Sequence, residues 1–165
     1  MGVANVVKNE PCPCTSGKVY SECCKPLHDG SRQPEQGEEL VRSRYAAFAL
    51  GRVDYLVKTL HEDHPDRSKP PDRIELALRT ASASFKYMGL TIIESEPRDR
   101  DGACRVLYLA RIFRRGQDVS FLELADFLHD GQGLRYRNGR TADASSMRTV
   151  PPGLTIATFQ PSDTR

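Results

Sequence analysis

The sequence predicts an α+β fold, with helices first and a run of antiparallel strands after them. Three observations predict it. Apolar residues recur at helical spacing between residues 38 and 82. From residue 86 to 138 the segments instead read as strands, joined one after another by short polar turns. A cluster of cysteines stands apart from both, close to the N-terminus.

Taken in order, residues 1–10 carry no pattern and are expected to be loose. Residues 11–30 hold the cysteines, and Ser31–Gly37 is a polar linker broken by Pro34 and Gly37. Leu40, Val41, Tyr45, Phe48 and Ala49 fall on one helical face, which predicts a helix over 38–50 stopped by Gly51. A shorter helix is predicted over 53–60. The polar, proline-rich stretch 61–71 reads as a loop, and Asp72 is the expected cap of a third helix over 73–82. Strands are predicted at 86–97, 104–114, 119–129 and 134–138, separated by turns at 98–102, 115–118 and 130–133. The weak apolar run 154–159 is expected to add an edge strand, and the last five residues to be disordered. The predicted units are therefore 1–30, the linker 31–37, an α+β domain over 38–140 and a C-terminal extension over 141–165.

Composition bounds the function. Net charge is +2 and 28 % of the residues are charged, which gives no strong electrostatic case for nucleic acid or a membrane surface. No apolar run approaches the eighteen or so residues of a membrane span, and the N-terminal residues lack a signal-peptide pattern. A reducing, cytoplasmic setting is expected.

The cysteines carry the most specific chemistry. Four of the five, Cys12, Cys14, Cys23 and Cys24, lie in the run Pro-Cys-Pro-Cys-Thr-Ser-Gly-Lys-Val-Tyr-Ser-Glu-Cys-Cys. Disulfides and a metal site compete to explain them. Staples suit a small secreted protein, whereas this chain is long enough to build a core and is expected to stay reduced. Paired thiols at the two ends of a short loop suit a tetrahedral zinc ion, with Gly17 turning the chain and Lys18 offsetting thiolate charge. His28 is an alternative ligand by spacing. Four protein ligands leave no open position, so such a zinc is structural. Cys104 opens an apolar segment and is read as a small buried hydrophobe.

The run Cys12–Cys24 resembles the SEC-C motif, named for the zinc-binding tail of the SecA translocase, with Thr15 where glycine is usual. All four ligand positions match, so the resemblance implies Cys12, Cys14, Cys23 and Cys24 as zinc ligands. The layout of three helices and a curved antiparallel sheet fits the cone-shaped nuclear-transport-factor-2-like fold. Four further blocks, Val41–Phe48, Asp54–His61, Gly89–Thr91 and Phe121–Leu128, resemble the bacterial YchJ family, which joins such a knuckle to a middle domain of this class. The resemblance spans about residues 11–140. Three departures stand out. No cysteine follows Cys104, whereas many members carry a second SEC-C motif. Ala125 takes the serine place of the pattern E-x-S-x-F. The family tryptophans are absent, with Tyr87 and Tyr136 as replacements for two of them.

Strand parity points to a second site. Val119, Phe121, Glu123, Ala125 and Phe127 share a face, which puts the Glu123 carboxylate among apolar side chains. Buried carboxylates need a partner or shift their pKa, and Arg42 and Arg44 are the predicted partners. Two readings follow. Glu123 pairs with arginine and fixes the first helix to the sheet, or it serves as base or anchor in a pocket formed with Arg42, Arg44, Tyr45, Tyr55 and His61, where Glu123 and His61 are the catalytic candidates. The functions expected are, first, a binding or adaptor module with structural zinc and a protein partner. Second is an isomerase- or hydrolase-like enzyme with a small-molecule ligand in the cone. Third is nucleic-acid or ribosome binding through Lys8, Lys18, Lys25 and Arg32, which Glu10, Glu22, Asp29 and Glu35 offset.

Overall fold

In the computed structural model, which describes residues 9–162, helices precede strands as expected. They are α1 (Lys25–His28), α2 (Gly37–Leu50), α3 (Val53–Lys58) and α4 (Pro71–Ser84), followed by β1 (Lys86–Ser95), β2 (Ala103–Arg114), β3 (Gln117–Asp118), β4 (Phe121–His129) and β5 (Leu134–Asp143). The strands form one antiparallel sheet in the order β1-β2-β4-β5, with the short β3 folded back on β2. The looseness expected of the two termini falls largely outside the described residues. The parts that are described are tied down: Tyr20 N donates to the Glu10 carbonyl and Ser162 N to the Thr141 carbonyl, each at 2.9 Å.

Local chemistry fixes the helix ends. A Gln36/Glu39 capping box opens α2, and Gly51 closes it at φ 71°, a left-handed cap that costs glycine little. Pro71, not Asp72, starts α4, because proline suits the first helical position. The helix α3 stops at Lys58, short of the expected Leu60. The next residues are captured by β5: Tyr136 N donates to the Thr59 carbonyl at 2.8 Å and His61 N to the Tyr136 carbonyl at 2.9 Å.

Alternation along β2 and β4 splits the core between the two faces of the sheet. On the front, Val106, Ala110, Ala125 and Phe127 pack under Leu40, Val41 and Tyr45 of α2, and Cys104 is buried there as expected. On the back, Leu107, Leu109, Leu122 and Leu124 meet Ala144, Ile156 and Phe159. The segment 154–159 is therefore not an edge strand. It runs through turns across the back face, where its apolar side chains bury without strand pairing. The strand β5 likewise runs past Asn138 to Asp143, paired with β4 throughout. Among the described residues no helix is long and apolar enough to cross a membrane.

Candidate metal centre and cone pocket

The cysteine loop is closed by its own backbone. Cys12 N donates to the Lys18 carbonyl at 2.8 Å, and Gly17 turns the chain at φ 86°. Cys23 and Cys24 then lead directly into α1. The four sulfurs lie within 4.8 Å of one another. Cys14 Sγ lies 3.6 Å from Cys23 Sγ, and Cys23 Sγ lies 3.8 Å from Cys24 Sγ. A tetrahedron of metal–sulfur bonds about 2.3 Å long has edges of about 3.8 Å, so the cluster fits a metal ion. Its electrostatics agree. Hydrogen bonds from Cys12 and then Cys24 draw the Cys14 thiol far below its ordinary pKa, while the Cys12 and Cys24 thiols are driven up by sharing protons with their neighbours. Negative charge gathered on closely spaced sulfurs is unfavourable without a cation, and a bound metal ion would relieve it.

His28 is not a further ligand. Its Nε2–H donates to the Ser43 carbonyl and its Nδ1 accepts from Tyr20 Oη, both at 2.7 Å, so both nitrogens are engaged. Burial lowers its pKa, which keeps the ring neutral. Besides that His28–Ser43 bond and the Arg52 bonds to Asp29 and the His28 carbonyl, further contacts tie the cysteine loop itself to the rest of the molecule. Arg42 Nη1 donates to the Cys14 carbonyl at 2.9 Å. Thr15 Oγ1 donates to the Leu90 carbonyl at 3.0 Å and accepts from Leu90 N at 3.2 Å, satisfying the open edge of β1. Thr15 sits at φ 60°. That is why glycine is usual at this place in the motif, and the hydroxyl contacts offset the strain. The basic residues that suggested nucleic acid are partly spent: Lys25 pairs with Asp29 and Arg32 with Glu39. Lys8 lies outside the described residues.

The second site is a cavity of about 370 Å³ between the front of the sheet and the helices. Glu123 lies in its wall, 7 % exposed. Its partner is not an arginine. Tyr136 Oη donates to Glu123 Oε1 at 2.6 Å, and Tyr108, directly opposite on β2, supplies a second hydroxyl. Burial raises the Glu123 pKa, and the two tyrosines and the Arg44 charge only partly offset it. Gly139 makes this pairing fit. A Cβ there would come within 2.3 Å of Glu123 Oε1 and 2.4 Å of Tyr136 Oη.

The other predicted pocket residues divide. Arg44 and Tyr45 line the cavity. Arg44 lies 5.0 Å above the Tyr136 ring, and its Nη1 donates to the Leu56 carbonyl at 2.8 Å and to Thr59 Oγ1 at 2.6 Å. Tyr45 Oη accepts from Gly89 N at 2.9 Å. Arg42 points the other way, to Glu38 and the knuckle. Tyr55, on α3, does not line the cavity; its hydroxyl lies 2.7 Å from Ser43 Oγ and its ring packs against His28. His61 is buried outside the cavity, facing a separate groove with Lys58 and Asp130. His64, not the predicted His61, lines the cavity, its ring 5.1 Å from that of Tyr136. The sequence reading missed Tyr108, His64 and Gly139 as parts of this site. Gly139 falls just past the strand predicted over 134–138, so only the extension of β5 to Asp143 reveals it as a glycine inside a strand.

Comparison with known proteins places these two sites in one context. Residues 36–139 match the family described as YchJ, middle NTF2-like domain, and residues 9–26 match the SEC-C motif. A UPF0225 protein of Geobacter sulfurreducens is 37 % identical over 135 residues, covering 75 % of this chain and 80 % of that one. The UPF0225 protein YchJ of Shigella dysenteriae is 34 % identical over 128 residues, covering 78 % and 81 %. The solution structure of a SEC-C motif containing protein from Rhodopseudomonas palustris superposes with a TM-score of 0.65 at 29 % identity, over 81 % of this chain and all of that one. A crystal structure of a SEC-C motif containing protein from Psychrobacter arcticus shares the fold, with a TM-score of 0.66 at 21 % identity over 79 % and 82 % of the two chains.

Proposed function

The chain belongs to the YchJ family, and from that premise we propose that it is a binding module whose two parts have separate tasks. The knuckle holds a structural zinc ion through Cys12, Cys14, Cys23 and Cys24. Four thiolates in a closed set select a soft, tetrahedral ion and leave no place for substrate. The cone holds the binding site, in its front cavity. One observation carries this reading: Glu123, a carboxylate in the wall of an open cavity, is held by tyrosine and not locked by arginine. The cavity volume is in the range of small-molecule sites.

Filling the cavity tests it. Ala81 lines the cavity from α4, and Ala81→Trp is expected to block it. In a thermal-shift screen of small metabolites, compounds that raise the melting temperature of the wild type and not of folded Ala81→Trp support the reading. A screen in which no compound separates the two proteins sinks it. Metal analysis under reducing conditions should find about one zinc per chain; less than about half an equivalent refutes the zinc assignment.

The raised pKa of Glu123 favours a second reading, proton transfer at the same pocket by an isomerase- or hydrolase-like enzyme. Docking of a protein on the knuckle has its support in the exposed Pro11, Gly17, Lys18 and Glu22. Exchange of the knuckle cysteines for serine isolates that role: partner capture lost with the cone folded supports it, and capture unchanged rejects it.

A further inference from the structure

The cavity is chemically two-ended, and this inference, which rests on reading it as a binding site, concerns what such a cavity takes. One end is aromatic. Tyr45 and Tyr87 meet edge to face at 5.6 Å, and Phe48 stacks on Tyr87 at 6.4 Å. Their hydroxyls are turned elsewhere, Tyr45 to Gly89 and Tyr87 to the Ala81 carbonyl, so the rings themselves wall the cavity. The other end carries the polar groups Arg44, Tyr108, Glu123 and Tyr136.

Arg44 is the informative member. It is 8 % exposed and lines the cavity. Its hydrogen bonds both leave from Nη1 and both end on neutral acceptors, the Leu56 carbonyl and the Thr59 hydroxyl. Among the described residues no carboxylate reaches it within ion-pair distance; the nearest acid by charge interaction, Glu123, is taken by Tyr136. Burial also drives Glu123 towards its neutral form, which leaves the guanidinium less compensated still. Buried charges are normally paired, and a guanidinium is shaped to take a carboxylate. Asp66 and His64 also line the cavity, His64 beside Tyr136; Asp66 is paired with Lys69 at 2.7 Å and burial lowers the His64 pKa, so neither sets a strong opposing charge.

We propose that the cavity recognises a flat aromatic carboxylate, its ring against Tyr45, Tyr87 and Phe48 and its carboxylate at Arg44. Cationic ligands are excluded by the guanidinium, and polyhydroxylated ones by the aromatic wall, which offers no hydrogen bonds.

Calorimetric titration of the full, metal-loaded chain with 2-naphthoate and with 2-naphthamide, its uncharged isostere, tests this. Naphthoate should bind at least about tenfold more tightly. Ala81→Trp should abolish that binding, and Arg44→Gln should erase the preference for the acid. Because a buried arginine can matter for folding, the wild-type Arg44 side-chain N–H resonances give a second readout and should shift with naphthoate. Equal affinity for acid and amide overturns the proposal while leaving the cavity as a binding site. Naphthoate binding that survives Ala81→Trp overturns it as well, by placing the anion elsewhere. Binding of neither probe at millimolar concentration overturns both the proposal and the reading beneath it.

Discussion

The knuckle and the cone are held together by opposite means. Between residues 9 and 30 the buried apolar side chains besides the cysteines are few, chiefly Tyr20 and Leu27. The cone instead has an apolar cluster on each face of its sheet. So short a segment cannot offset its conformational entropy by burial alone, and a metal ion held by the four cysteines would stand in for a core. The cone needs no such aid, and can leave part of its front face unpacked as a cavity. The most conspicuous chemistry of the chain, its cysteines, is gathered in a closed cluster, while the less conspicuous Glu123 and Arg44 face a cavity.

The sharpest way to break this comparison is to take the metal away. Structural zinc sites contribute about 10–16 kcal/mol of apparent binding energy that is also folding energy. Chelation, or Cys14→Ser, should therefore unfold the knuckle and expose the amides of Cys12 and Tyr20 to hydrogen exchange, while the amides of β2 and β4 stay protected. Loss of protection across the sheet as well would show that the two parts are one cooperative unit.

The converse experiment loosens the cone. Leu124 is 2 % exposed on the back face, against Leu107, Leu109 and the returning Ile156 and Phe159. Leu124→Ala should cost about 2–5 kcal/mol, read as a lower urea midpoint, with metal content unchanged. Metal lost from the folded variant would contradict the separation.

The same difference governs how much was legible. Metal ligation is local in sequence, so Cys12, Cys14, Cys23 and Cys24 and their spacing announced the knuckle. The α+β order and the strand parity of Glu123 were legible because periodicity records burial. The partner of Glu123 was not, because it is set by register: β4 places Glu123 opposite Tyr108, and Gly139 on β5 clears room for Tyr136. Arg42 and Arg44 looked equivalent, yet two positions on a helix differ by about 200°, which sends one to the knuckle and the other to the cavity. The segment 154–159 misled because apolar side chains bury equally well from turns.

Glu123 gives a smaller and more selective test within the cone. Its native pKa is raised above the ordinary 4.5. Below about pH 4.5 both native and unfolded chains hold the proton and the group contributes nothing to the pH slope. As pH rises past that value the unfolded chain releases its proton while the native state retains it, so stability falls until the native carboxyl ionises. Acids with lowered pKa values, such as Asp29, Glu39 and Glu96, slope the other way. Urea midpoints compared between wild type and Glu123→Gln cancel those terms. The wild type should lose stability relative to the variant as pH rises; a flat difference would mean that Glu123 is not burdened by burial.

The smallest effect lies at the seam between the two regions. Thr15→Gly removes the strain of a β-branched residue at φ 60°, worth roughly 1–2 kcal/mol. It also removes two hydrogen bonds to Leu90, each worth about 0.5–1.5 kcal/mol, and frees the unfolded chain. These terms partly cancel, leaving a loss of about 1 kcal/mol, so the melting temperature should fall by only a few degrees. Local protection should not be so balanced, because the Leu90 amide loses its acceptor on the open edge of β1. Faster exchange at Leu90 with only this small loss of global stability would make Thr15 a clamp between the two parts. A large fall in stability would instead mean that this one hydroxyl couples the two regions more strongly than the shared packing of Ala46 on the cysteines and of Leu27 on α2 and α3.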